Sequence, residues 1–392
     1  MPEQRVPYPD IDTPAVLADL NTLEANIKDM CQRADEVGVK FRPHIKVHES
    51  ALIVKLQLGA GAYAVEVGPI GQAEAMADQG INDILVAHPG YYGGPKGEIL
   101  KKLLNKPDLK LTTVVDMFEQ AEIISQVAQS VAKKVPILVK IDLGRSSRYG
   151  VLPGEPLLNL VKKVRQLPGI NFIGIYSHEI GAKPTPEGLD EAAFEAATIV
   201  ADSARMLRKE GISVEHVSVG SSPSFRSTCR FIKEGKFPEI TEIHPGNCAI
   251  GDISYMRAGG NTREACTVTV LTTVMSASHP DWVVIDAGYK TFGYDSLIAY
   301  RDTPGFWWQG KPSYGSIQGR PDLWFGRTGA ETGMVYYMAD NIKTEEMLSL
   351  GDRLEIVPNN ATLVINIHDK MYGVRNGKVE REIPVTGRGK GN

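Results

Sequence analysis

From about residue 20 to residue 245, short aliphatic runs alternate with stretches of helical period. Eight runs read as strands: Val39–His44, Ala62–Val67, Asp83–Ala87, Leu109–Val115, Val135–Asp142, Asn171–Ser177, Val214–Gly220 and Ile240–His244. Several, such as DILVA and PILVKIDL, are almost continuously apolar, the pattern of parallel strands covered on both faces. The spacing predicts helices between them, most clearly over Asn21–Val37, Met117–Ala132 and Leu189–Glu210. Eight such units predict an α/β fold with a closed (β/α)8 TIM barrel over residues 20–245, an open doubly wound sheet being the second choice. After Pro245 the texture changes to Val, Thr, Ile and turn residues, which predicts a mainly antiparallel β-domain. We expect that domain to comprise residues 246–392 together with 1–19, the strand-like Ala15–Asp19 included. Thr303–Gly333, rich in Gly, Pro and aromatics, reads as a long excursion from it and a candidate lid.

A chain of 392 residues is long for one simple core, in keeping with two domains. With 42% apolar and 23% charged residues and a formal net charge of −4, nothing points to a nucleic-acid partner. No uncharged apolar run approaches the roughly 18 residues of a membrane span, and the N-terminal segment has no apolar core of a signal peptide. Four dispersed cysteines without a CxxC pair read as reduced thiols, and a cytoplasmic location is expected.

The octapeptide FRPHIKVH, residues 41–48, sets Lys46 beside Arg42, His44 and His48. Crowding by such groups lowers a lysine's pKa and raises the fraction of free amine able to attack a carbonyl. Taken alone, Lys46 reads as a solvated lysine at a strand end. Barrel catalysis, however, belongs at the C-terminal ends of strands. Lys46, the segment Asp142–Arg148, His178, the turn Gly220-Ser221-Ser222 and the turn Pro245-Gly246-Asn247 all fall just past predicted strands. Gly220, Ser221 and Ser222 run into a helix, where amides and hydroxyls suit a phosphate, and Gly246 with Asn247 would complete that cup. His178 by itself would be a hydrogen-bonded structural histidine as readily as a base.

These residues resemble the fold type III (alanine-racemase-like) pyridoxal-phosphate enzymes, in particular the D-threonine aldolase and D-serine dehydratase branch. Arg42-Pro43-His44-Ile45-Lys46 is similar to its RPHxK signature, Asp12-Thr13-Pro14 with Asp19-Leu20 to its opening segment, and Asp286-Ala287-Gly288 to its β-domain turn. Asp142-Leu143-Gly144 with Arg148-Tyr149-Gly150, and Tyr176-Ser177-His178, resemble its strand-five and strand-six segments. The resemblance implies pyridoxal 5′-phosphate joined to Lys46 as a Schiff base. His44, Arg148 and Tyr176 would contact the cofactor, and Gly220, Ser221, Ser222, Gly246 and Asn247 would hold its phosphate. His178 would act as acid or base at the β-substituent. It further implies a homodimer and a small amino-acid substrate.

The branch usually holds a divalent metal on a His-x-Asp or His-x-Cys pair, and here those positions fall on Asn360 and Thr362, ahead of Asn366-Ile367-His368-Asp369. Neither is a good ligand, so the usual metal site is expected to be missing or weakened. The expected activity is a lyase on a D- or β-hydroxy-α-amino acid, with Cα–Cβ cleavage first and dehydration with ammonia release second. A metal-independent racemase, with Tyr289 as second base, is a third reading. A cofactor-carrying protein is a fourth, which the long segment after Pro245 disfavours. Arg145, Arg301, Arg320 and Arg327 are candidates to grip a carboxylate.

Overall fold

The first strand, β1 (Ala15–Asp19), does not belong to the barrel. The eight strands that follow do: β2 (Lys40–Phe41), β3 (Val65–Val67), β4 (Asp83–Val86), β5 (Lys110–Val115), β6 (Val135–Lys140), β7 (Ile170–Tyr176), β8 (His216–Val219) and β9 (Glu242–Ile243). This is a computed structural model, and it describes residues 6–144, 148–179, 181–294, 307–308, 311–338 and 347–391.

The barrel strands pair in parallel in the order β2-β9-β8-β7-β6-β5-β4-β3. The ring closes where the Tyr63 amide donates to Phe41 O at 2.8 Å and the Glu66 amide to Pro43 O at 2.9 Å. The fold is thus the expected TIM barrel. Its strands are almost wholly buried because helices cover the outside and side chains fill the inside; β6, for instance, keeps five of its six residues buried. Helices Leu20–Glu36, Phe118–Ser130 and Pro186–Lys209 match the three clearest helical periods. Most strands are shorter than their sequence runs, and β2 and β9 shrink to two residues each. Pro43 has no N–H to continue β2, and the chain turns at once into the 3-10 turn Ile45–Val47; Pro245 likewise follows close on β9.

The remaining strands are β10 (Val268–Ser276), β11 (Trp282–Ile285), β12 (Trp307–Trp308), β13 (Lys311–Pro312), β14 (Gly315–Ile317), β15 (Leu323–Thr328), β16 (Gly333–Tyr337), β17 (Arg353–Pro358), β18 (Lys370–Arg375) and β19 (Lys378–Pro384). With β1 they form a mainly antiparallel sheet in the order β15-β16-β11-β10-β1-β18-β19, with β17 paired to β10 and β14, while β12 and β13 make a separate ribbon. β1 is antiparallel to β10 and parallel to β18. Thr13, of the N-terminal motif, donates from Oγ1 to Asp286 Oδ2 at 2.5 Å, so two of the recognised motifs are one sheet corner. The described part of the aromatic excursion is not a lid: β14 and β15 are strands of this sheet, with Trp324 and Phe325 buried. Its Gly and Pro content masked a short alternating pattern. Phe306 and Arg301 lie outside the described residues.

Two compact units result: residues 1–26, 249–257 and 261–388, and residues 27–248, 258–260 and 389–392. All four cysteines are free thiols. No helix among the described residues is long and apolar enough to cross a membrane.

Candidate active site

Within the barrel unit a cavity of about 420 Å³ is lined by His44, Lys46, Ala87, His88, Lys140, Arg148, Tyr149, Tyr176 and His178. Five expected site residues, Lys46, His44, Arg148, Tyr176 and His178, therefore meet in one place. They arrive from different strand ends, as parallel strands in a ring require.

Lys46 sits in the 3-10 turn after β2, and His44 caps that turn by accepting the Lys46 amide on Nδ1 at 3.3 Å. The side chain is exposed to the cavity while protein surrounds it closely. Desolvation lowers its pKa, Glu66 opposes the shift, and Arg148 adds to it. The cause differs from the one expected from the octapeptide. Arg42 points into the barrel interior and is neutralised by Glu242 and Asp83, each at 3.1 Å. His44 and His48 are held neutral, chiefly by burial. Neighbours in sequence are not neighbours in field here.

His178 follows β7 and its Nδ1 lies 2.9 Å from the Gly220 carbonyl oxygen. A carbonyl only accepts, so Nδ1 carries the proton and Nε2 has a free lone pair. Burial, then His244, Lys46 and Lys140, push its pKa well down, which keeps the ring neutral and basic. Tyr176 stacks on His244 with ring centroids 4.4 Å apart and donates its hydroxyl to Glu66 at 2.9 Å.

Gly220, Ser221, Ser222, Gly246 and Asn247 do not line this cavity; their turns touch its lining residues only from behind, Gly220 at His178 and Gly246 at His44. Ser222 Oγ accepts the amides of Gly246 at 3.1 Å and Asn247 at 2.8 Å. The Asn247 Oδ1 atom is buried without a hydrogen-bond partner among the described residues. A Cβ on Gly246 would lie 2.4 Å from the His44 carbonyl oxygen, so the turn presses on the segment that carries Lys46. Ser221 faces the other way: its hydroxyl is 3.0 Å from Ser224 Oγ, which donates to the buried carboxyl group of Glu179. Lys46, Lys140 and Arg148 on the cavity wall supply donors that fit a phosphorylated aldehyde, whereas the Gly246 and Asn247 amides are already donated to Ser222.

His88, Lys140 and Tyr149 were not anticipated. His88 obeys the same strand-end rule as Lys46 and was legible, falling just after β4. Lys140 was signalled by being the lone charge in PILVKI. It is buried, with its ammonium 4.6 Å from the Tyr149 ring and 5.0 Å from the Tyr176 ring, and desolvation lowers its pKa to about 8. Among the described residues, Lys46, Lys140 and Arg148 and no carboxylate line the cavity, so it attracts anions.

The positions that would bear a metal do not fit one. Asn360 Oδ1 accepts the Leu363 amide at 3.3 Å as the cap of helix Ala361–Asn366. His368 Nδ1 is bound to the Val364 carbonyl at 2.7 Å, and Asp369 pairs with Arg388. Arg320 is committed to Asp322 at 2.6 Å, Arg327 is exposed on β15, and Arg145 lies outside the described residues.

Residues 18–252 match the family of the alanine racemase N-terminal domain, and residues 267–374 match a serine dehydratase domain. The chain belongs to the alanine racemase N-terminal domain family. It is 30% identical to the 3-hydroxy-D-aspartate aldolase of Paracoccus denitrificans, over 97% of this chain and 93% of the relative. It is also 30% identical to the D-threo-3-hydroxyaspartate dehydratase of a Delftia species, over 90% of this chain and 91% of the relative. Among solved structures, the D-threonine aldolase of Filomicrobium marinum superposes with a TM-score of 0.85 at 28% identity, covering 99% of this chain and 98% of that one.

Proposed function

We propose that the protein is a pyridoxal-phosphate lyase that splits the Cα–Cβ bond of a β-hydroxy-D-α-amino acid. The observation that carries this reading is the convergence of Lys46, Arg148 and a neutral His178 on one cationic cavity. The two aldolases among its relatives support it. Lys46, with its lowered pKa, is the amine that would hold the cofactor, and Arg148 with His44 and Tyr176 would bound its ring. Ser222, Gly246 and Asn247 would take the phosphate, with Gly220 and Ser221 shaping the turn. Bound there, pyridoxal phosphate supplies an electron sink for the bonds at Cα.

The protein's own part in the reaction follows from His178. Its Nδ1–H is spent on Gly220, so Nε2 is the atom available to take the β-hydroxyl proton, the step that starts retro-aldol cleavage. Lys46 is placed to return a proton at Cα. The cationic lining favours the substrate carboxylate. No step needs the region around Asn360 and Thr362.

Dehydration is the second reading, favoured by the Delftia relative. Incubation with D-threonine and with 3-hydroxy-D-aspartate decides between them. We expect glycine plus an aldehyde product in equal amounts; an oxo-acid plus ammonia would establish the dehydratase, and inversion without either would establish a racemase. We further propose a cytoplasmic homodimer. Free cysteines support the location, and exposed Tyr289, Tyr294, Leu363 and Ile367 support a partner surface.

A further inference from the structure

A carboxyl group lies beneath the cavity and has no part in the chemistry above. Glu66 on β3 is fully buried, and its Oε1 accepts the Tyr176 hydroxyl at 2.9 Å and faces His44 Nε2 at 3.6 Å. Its Oε2 has no partner among the described residues. Because His44 Nδ1 accepts the Lys46 amide, the hydrogen of the neutral ring is on Nε2, the atom turned toward Glu66. Tyr176, His44 and the backbone of Lys46 are thereby tied, in one chain of contacts, to a single hidden group.

We propose that Glu66 is a positioning residue of this site: from under the cavity it sets the His44 tautomer and the Tyr176 orientation, and through His44 it holds the turn that presents Lys46. The proposal rests on the lyase reading. A bland alternative, a carboxylate buried only to fill the barrel, leaves the uncompensated Oε2 as pure cost. Its protonation withdraws the charge that Oε1 presents to the Tyr176 hydroxyl and to the His44 ring, so the state of this one group bears on both.

The charged and titratable groups facing Glu66 are Tyr176, His44, Lys140, Arg42, Glu242 and, across the cavity, Lys46. Burial raises its pKa to about 8; the Tyr176 bond, Arg42 and Lys140 pull down against burial, and Glu242 adds to it. A carboxyl group so raised loses its proton near pH 8, where the charge it presents to Tyr176 and His44 changes.

The test is a pH titration, across roughly pH 6 to 10, of the visible absorbance of protein loaded with pyridoxal phosphate, comparing wild type with Glu66→Gln, Glu66→Asp and Lys140→Gln. We expect a spectral step near pH 8 in wild type that Glu66→Gln lacks and that Glu66→Asp and Lys140→Gln keep. Should Glu66→Gln fail to fold, Tyr176→Phe removes a bond that lowers the Glu66 pKa, and the step should move up by about one pH unit. A step that survives unmoved in Glu66→Gln, or in Tyr176→Phe, overturns the proposal alone. Wild type without any visible band overturns the lyase reading and this proposal with it.

Discussion

At the scale of single residues, reactivity here comes from where burial leaves a proton. Lys46 is kept short of its ordinary basicity by desolvation, so replacing it with alanine removes both the visible cofactor band and all turnover. Absorbance of the loaded variant checks this. His178 is neutral with its acceptor nitrogen open, so His178→Gln should lower kcat by about a hundredfold or more while pyridoxal phosphate binding persists. The low His178 pKa also has a sign. A group already deprotonated loses nothing between about pH 6 and 7, so the rate should not fall there as it would for an unshifted histidine base. A rate profile that halves near pH 6.5 would contradict the assignment. Gly246 is fixed by sterics: a methyl group would meet the His44 carbonyl at 2.4 Å. Gly246→Ala should therefore cost about 1–3 kcal/mol of stability and weaken pyridoxal phosphate more than unphosphorylated pyridoxal. Equilibrium binding of the two aldehydes separates those effects.

At the scale of elements, the barrel strands carry two kinds of side chain inward. Near the rim they supply the cavity; deeper they supply a buried ion pair, Arg42 on Glu242 at 3.1 Å, joined by Ser218 at 3.0 Å. Burial alone would raise the Glu242 pKa, but Arg42 and His216 pull harder and set it at about 2. A folded pKa below the ordinary 4.5 contributes stability above pH 4.5 that is lost as pH falls toward 2. Arg42→Met should cost about 3–5 kcal/mol at neutral pH and flatten that acid dependence, which urea unfolding across pH measures. The short helix Ala361–Asn366 tells the opposite story. Asn360 caps it, and Asp252 Oδ2 accepts its first amide at 2.9 Å, so polar atoms here are used to end a helix. Turnover should accordingly be unchanged after chelator treatment; full loss restored by zinc or manganese would refute this reading.

At the scale of the whole molecule, the protein joins a parallel barrel that concentrates strand ends to a sheet that pairs the first strand with the last ones. β1 lies between β10 and β18, so residues near both chain ends enter one sheet. Truncation through Asp19 should unfold that unit because it removes the strand that pairs with both β10 and β18. Proteolysis of the truncated form checks it.

The order of elements, the barrel, and the placement of Lys46, His178 and Arg148 at strand ends were all legible in the sequence, because period and chain direction alone dictate which residues face a barrel's rim. His88 obeys the same rule, just past β4. Other features needed the folded chain. Which groups tune Lys46 depends on distances across the ring: Arg42, four residues away, is neutralised elsewhere, whereas Glu66 and Arg148, far away in sequence, shape its field. The aromatic excursion concealed strands because pairing partners, unlike helical period, leave little local trace. Local pattern determines what each segment is; burial and charge, which depend on everything packed around a group, determine what its chemistry becomes.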